Sequence, residues 1–121
     1  MIDHVILNVS DYDASYAFYK AALAPLGFSV GMEFQGMCGF DRDGKPWFWI
    51  ARRDPTTHGA HVAIRARRRA EVDAFFAAAT AAGGRDNGPP GVREHYHPTY
   101  YASFALDPDG NNIEAVTHEP E

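Results

Sequence analysis

The sequence predicts an α+β fold made of two tandem units, each a strand, a helix and then a small antiparallel sheet. Three observations carry this. The segment "DHVILNVSDYDASYAFYKAALAPLG" lies on "AHVAIRARRRAEVDAFFAAATAAGG" without a gap, setting His4 over His61, Phe18 over Phe75 and Gly27 over Gly84. Each copy opens on an alternating strand pattern and continues into a helical stripe. The turns "DRDG" at 41–44 and "DPDG" at 107–110 also repeat, each setting Asp-Gly between two strand-like runs.

Taken in order, "DHVILNV" at 3–9 alternates, with Val5, Leu7 and Val9 on one face and His4, Ile6 and Asn8 on the other. Asp11 is the expected N-cap of the first helix, and Gly27 follows its end. Ser15, Phe18, Tyr19 and Ala22 form its core stripe; Val72, Phe75, Phe76 and Ala79 do the same in the second helix, which Gly83 and Gly84 close. Short strands are expected at 28–34, 37–41 and 47–52, and again at 100–107 and 111–118. The stretch 85–98, rich in Gly, Pro and charge, reads as a long loop holding at most a short edge strand. The division is therefore one domain over 1–121, with a first unit at 1–52, a linker at 53–60 and a second unit at 61–118.

A chain of 121 residues buries about two-thirds of its unfolded surface and needs no disulfide to fold. Its net charge of −5 argues against a general affinity for nucleic acid. No apolar run approaches the eighteen or so residues of a membrane span. The chain opens directly into a strand rather than a signal segment, so a cytoplasmic location is expected. The single cysteine, Cys38, reads as a small buried hydrophobe. Arg65, Arg67, Arg68 and Arg69 form the one basic cluster, a solvated strand end or, alternatively, a place to capture an anion.

With the halves superposed, His4 and His61 become equivalent, and both point away from the apolar faces that cover the helices. Glu114 in "NNIEAV" shares a face with Asn112 and Val116, opposite Ile113 and Ala115. A buried carboxylate requires a cation, a donor or a proton. Two imidazoles converging on it would make a metal site with coordination positions left open for substrate or dioxygen.

The segments "IDHV", "YAFYKAALAPLGF", "AHVAI" and "ASFALDPDGNNIEAV" resemble the glyoxalase, bleomycin-resistance and dioxygenase group, also called the vicinal oxygen chelate superfamily. The resemblance covers almost the whole chain and is strongest where a glutamate follows a D-P-D-G turn. It implies paired βαβββ units whose sheets form an open cavity around a divalent metal, often in a homodimer, with His4, His61 and Glu114 as ligands. The chain departs from four-ligand members such as glyoxalase I. Aligning the two turns puts Phe48 where the fourth ligand would stand, and a one-residue slip gives Trp49; neither binds a metal, and both become candidate pocket residues. "EHYHPTYY" loosely resembles the extradiol dioxygenases, which suggests His95 or His97 for proton movement and Tyr100 or Tyr101 for holding a substrate oxygen. A surface loop with snorkelling aromatics is the alternative.

The expected function is that of a metalloenzyme in which His4, His61 and Glu114 hold iron, manganese, zinc, nickel or cobalt and chelate adjacent oxygens of a small molecule. Glyoxalase-like lyase or isomerase chemistry and dioxygenation are both compatible. The alternative is a metal-free protein of bleomycin-resistance type, trapping an antibiotic between aromatics such as Trp47, Phe48, Trp49, Tyr100 and Tyr101.

Overall fold

The alternating "VILNV" segment forms the first strand, β1 (Val5–Val9), which begins just after His4, with Leu7 and Val9 buried. The computed structural model describes all 121 residues. Asp11 caps α1 (Tyr12–Leu23) by accepting from the Ala14 amide at 3.1 Å, as its spacing predicts. A short 3₁₀ turn, Ala24–Leu26, ends on Gly27 at φ 88°, a left-handed position suited to glycine. Then come β2 (Ser29–Phe34), β3 (Met37–Arg42) and β4 (Lys45–Arg52). The second unit repeats the order with β5 (His61–Arg65), α2 (Arg69–Ala81), β6 (Arg85–Val92), β7 (Tyr101–Leu106) and β8 (Asn112–Thr117).

Each unit is a four-stranded sheet, in the orders β1-β4-β3-β2 and β5-β8-β7-β6, with the first strand parallel to the last and the remaining pairs antiparallel. This is the expected pair of βαβββ units. The helices pack on each other and on their own sheets. Ser15, Phe18, Tyr19 and Ala22 from α1, and Val72, Phe75 and Ala79 from α2, are all buried; Phe76 is half-buried. The opposite face of each sheet carries no helix.

Two local expectations change in detail. The stretch 85–98 holds a full eight-residue strand, β6, at the sheet edge, where two register shifts interrupt its pairing with β7. Those bulges accommodate the glycines and prolines that made it read as loop. The repeated Asp-Gly turns are not equivalent. Asp43 and Gly44 both have positive φ, 54° and 78°, as a tight two-residue hairpin requires, whereas at 107–110 only Gly110 does. There Asp107 itself organises the turn.

Asp107 is buried and fully bonded. One carboxylate oxygen accepts from the Asp109 and Asn111 amides at 2.9 and 2.8 Å, and the other from Asn111 Nδ2 at 3.0 Å and from the Tyr19 phenol. Asn111 in turn accepts from the Ala60 amide and donates to the Thr57 carbonyl, both at 3.0 Å. One network thus joins α1, the linker and the turn before β8. Burial, followed by the Asp107 carboxylate, pushes the Tyr19 phenol well above its ordinary value, so it remains a donor.

Candidate functional site

β5 and β8 lie parallel, with His61 opposite Asn112 and Ala63 opposite Glu114. Because side chains alternate, His61 and Glu114 share the face turned away from α2, while Ile64, Ile113 and Ala115 enter the core. Glu114 is 2 % exposed and His61 53 %. Their atoms Oε1 and Nε2 are 2.8 Å apart. A carboxylate only accepts, so this contact puts the imidazole hydrogen on Nε2. The other oxygen of Glu114 accepts from the Tyr100 phenol. Burial and then this bond raise the Tyr100 phenol above its ordinary value, which keeps it protonated at neutral pH. The buried carboxylate is therefore satisfied from both sides.

Tyr100 reaches this position because the segment 93–100 folds back on itself. The Arg93 amide donates to the Tyr100 carbonyl at 2.7 Å, and the Tyr96 and His97 amides both donate to the Arg93 carbonyl. The Tyr100 ring meets Tyr96 and His118 edge-on, each at 5.0 Å between centroids.

His4 does not join this pair. It is exposed, and its Nδ1 faces the Asp3 carboxylate at 2.7 Å, which places a hydrogen there; its Nε2 makes no hydrogen bond. Within one chain, no three His, Cys, Asp or Glu side chains gather as a metal-binding group. The sequence equivalence of His4 and His61 holds along the strands, but β1 and β5 belong to different sheets.

The remaining candidates separate by face. His95 is exposed and lies against Tyr96 at 4.1 Å; His97 accepts from the Thr99 amide at 3.2 Å, and neither contacts Glu114. Tyr101 points to the helix side, bonding Asp73 at 2.6 Å beneath the Arg69 guanidinium and away from Glu114. Phe48 also faces the helix, 3 % exposed and 4.9 Å from the Tyr19 ring, because it pairs with Val5 on the core face. Trp49 lies on the opposite face over Gly39. The five aromatics suggested for an antibiotic groove therefore do not line one surface. His58 and His118 are exposed, as expected.

What sequence reading missed is the groove itself. About 460 Å³ in volume, it opens beside His61 and is lined by Asn87, Gly88, Arg93, Tyr96, Phe104 and Asn112. Arg93 and the glycines of "NGPPGVR" were the available signal.

The Glyoxalase/Bleomycin resistance protein/Dioxygenase superfamily model matches residues 1–115. The chain belongs to this superfamily. A glyoxalase/bleomycin resistance protein from Albidiferax ferrireducens is 32 % identical, with a TM-score of 0.81 over 94 % of this chain and 95 % of that one. Two further structures share the fold. A glyoxalase/bleomycin resistance protein/dioxygenase family enzyme from Burkholderia phytofirmans is 20 % identical, TM-score 0.72, over 95 % and 96 % of the two chains. A lactoylglutathione lyase from Agrobacterium tumefaciens is also 20 % identical, TM-score 0.69, over 96 % and 92 %. No curated protein sequence matches the chain. No helix of this superfamily member is long and apolar enough to cross a membrane.

Proposed function

We propose that the chain is a divalent-metal-dependent enzyme acting on a small molecule with adjacent oxygens, and that it works as a homodimer. The observation that carries this reading is the buried Glu114 carboxylate set against His61 Nε2 on an open sheet face. An imidazole nitrogen and a carboxylate oxygen suit iron, manganese, zinc, nickel or cobalt. His4 of a second copy is the third ligand. Its Nδ1 is held by Asp3 and its Nε2 is free, the arrangement in which a carboxylate orients a ligating histidine. When bound, the metal supplies a Lewis acid that chelates the substrate oxygens and stabilises negative charge developing on them. Tyr100 holds the second Glu114 oxygen and orients the carboxylate. Lyase, isomerase and dioxygenase chemistry all use such a core.

One observation favours a second reading, a metal-free binding protein: His61 and Tyr100 already satisfy Glu114 without any ion. Elemental analysis of native-purified protein separates the two. The enzyme reading expects near-stoichiometric metal, lost in His4→Ala, His61→Ala and Glu114→Ala. Mixing His4→Ala with Glu114→Ala subunits should restore one site per mixed dimer. Wild type that holds no more metal than the variants after supplementation overturns it.

A further inference from the structure

We infer that Arg93 is the receptor for a carboxylate on the small molecule that occupies the groove beside His61, so that the substrate class is a small organic acid. This rests on the proposed substrate site at His61 and Glu114, beside which the groove opens.

Arg93 makes no ion pair: no Asp or Glu oxygen lies within salt-bridge distance of its guanidinium. Asp86, on the neighbouring β6, is turned instead to the Gly88 amide at 2.8 Å. The groups its guanidinium contacts are neutral. The guanidinium lies over the Phe104 ring, 5.4 Å from the centroid, and one nitrogen donates to the Pro89 carbonyl at 2.7 Å. In a protein of net charge −5, a half-buried cation without a counter-charge is a local exception that attracts an anion.

The backbone is shaped around this side chain. A Cβ at Gly91 would stand 3.0 Å from one terminal nitrogen of Arg93, and a Cβ at Gly88 3.3 Å from the other and 2.8 Å from the Phe104 ring. Gly88, at φ 149°, lies in a region side chains rarely adopt. Both glycines stand at the register shifts between β6 and β7. The edge strand thus gives up regular pairing where the guanidinium is seated. A long side chain fixed in this way loses little freedom on binding, which favours affinity. Its planar fork matches a carboxylate through paired N–H donors.

The groove also sets the scale of the ligand. The Phe104 ring that lies beneath Arg93 is 6.2 Å from the His61 ring, so one aromatic side chain neighbours both the anion receptor and the metal-binding pair. A short acid lying over Phe104 reaches both. His61 is engaged with Glu114, which leaves Arg93 as the groove's free charge.

The test is to titrate the native protein and each variant with benzoate, benzamide and inorganic phosphate, following the backbone amide resonances of Gly88 and Asn112 in the groove and, where present, the Arg93 side-chain N–H, with metal content measured on the same samples. The expected result is a benzoate-dependent shift, with benzamide binding about tenfold or more weakly and Arg93→Gln losing benzoate affinity by on the order of tenfold to a hundredfold. Gly91→Ala, which keeps the charge but displaces the guanidinium, should fall between. Arg93→Gln that keeps its metal while losing benzoate supports the assignment. So does an Arg93-dependent benzoate response in protein that holds no metal, an outcome that overturns the metal reading alone. Equal benzoate binding by wild type and Arg93→Gln, equal binding of benzamide, or no binding at millimolar benzoate overturns the inference. Phosphate binding at Arg93 in preference to benzoate overturns the carboxylate assignment in favour of a phosphate ester.

Discussion

Trp49 stands in the first unit where Glu114 stands in the second. Trp49 pairs with Ile6 and Gly39, and Glu114 with Ala63 and Phe104, at corresponding register positions of the two sheets. The indole fills the space that Gly39 leaves open, since a Cβ there would lie 3.0 Å from three of its ring atoms. The second unit reverses the sizes, with a large ring at Phe104 and the acid at Glu114. One unit therefore carries the carboxylate and its counterpart carries an apolar plug.

Trp49→Glu consequently fails to create a second acidic site cheaply. It removes a buried indole and places a carboxylate where no donor waits, and should destabilise the fold by about 3 kcal/mol or more. Urea unfolding followed by circular dichroism checks this; an unchanged midpoint would show that the position tolerates charge.

Tyr19→Phe removes the phenol that spans from α1 to Asp107 in the other unit. Asp107 keeps its three nitrogen donors, so the expected cost is about 1–3 kcal/mol, read as a lower melting temperature. Asp107→Ala, which also orphans the Asn111 and Asp109 amides, should cost more. Equal melting of wild type and Tyr19→Phe would count against the network as a clamp between units.

Tyr100→Phe leaves one oxygen of Glu114 without its donor while His61 stays in place. Metal affinity should fall by about tenfold, the usual scale for losing a group that orients a ligand. Metal titration with a competing chelator measures it. Tyr101→Phe, whose hydroxyl bonds Asp73 on the helix side, should leave affinity unchanged.

Burial raises the Cys38 thiol from 9.0 to about 11, with the Glu33 and Asp41 carboxylates adding to it, and the Tyr12 phenol from 10.0 to about 12, with the charge of Cys38 and then of Glu33 adding to it. The native state holds both protons more tightly than the unfolded chain does. Between pH 9 and 11 for Cys38, and between pH 10 and 12 for Tyr12, the unfolded state has lost its proton first. Stability should therefore fall across that window and be fully present below pH 9. Cys38→Ala should flatten the lower part of the decline in urea midpoint against pH. At pH 8 the buried thiol should react with iodoacetamide only after unfolding.

The repeat made most of the fold legible. Apolar alternation in "VILNV" and "HVAIR", the Ser15–Ala22 stripe and the Asp11 cap are local signals, and each survives packing unchanged because tertiary burial asks for the same faces. β6 was hidden because two bulges break the period on which strand reading depends. The site was half legible. His61 and Glu114 meet because strand alternation and a parallel register bring them to one face, and both follow from sequence pattern. Tyr100 could not be told from Tyr101 until the fold-back of 93–100 decided which ring enters the site, and Phe48 could not be told from Trp49 until the register of β4 against β1 was known.

The sequence by itself determined the two units, the helix caps, the core stripes and the residues on each strand face, since these depend on periods of two and 3.6 residues along one chain. Only the tertiary structure decided that His4 lies apart from His61 and Glu114, that Asp107 ties the units together, and that Arg93 faces the same groove as His61. Those outcomes depend on how separate sheets are placed and on a bulged edge strand, and no spacing within a single element encodes either.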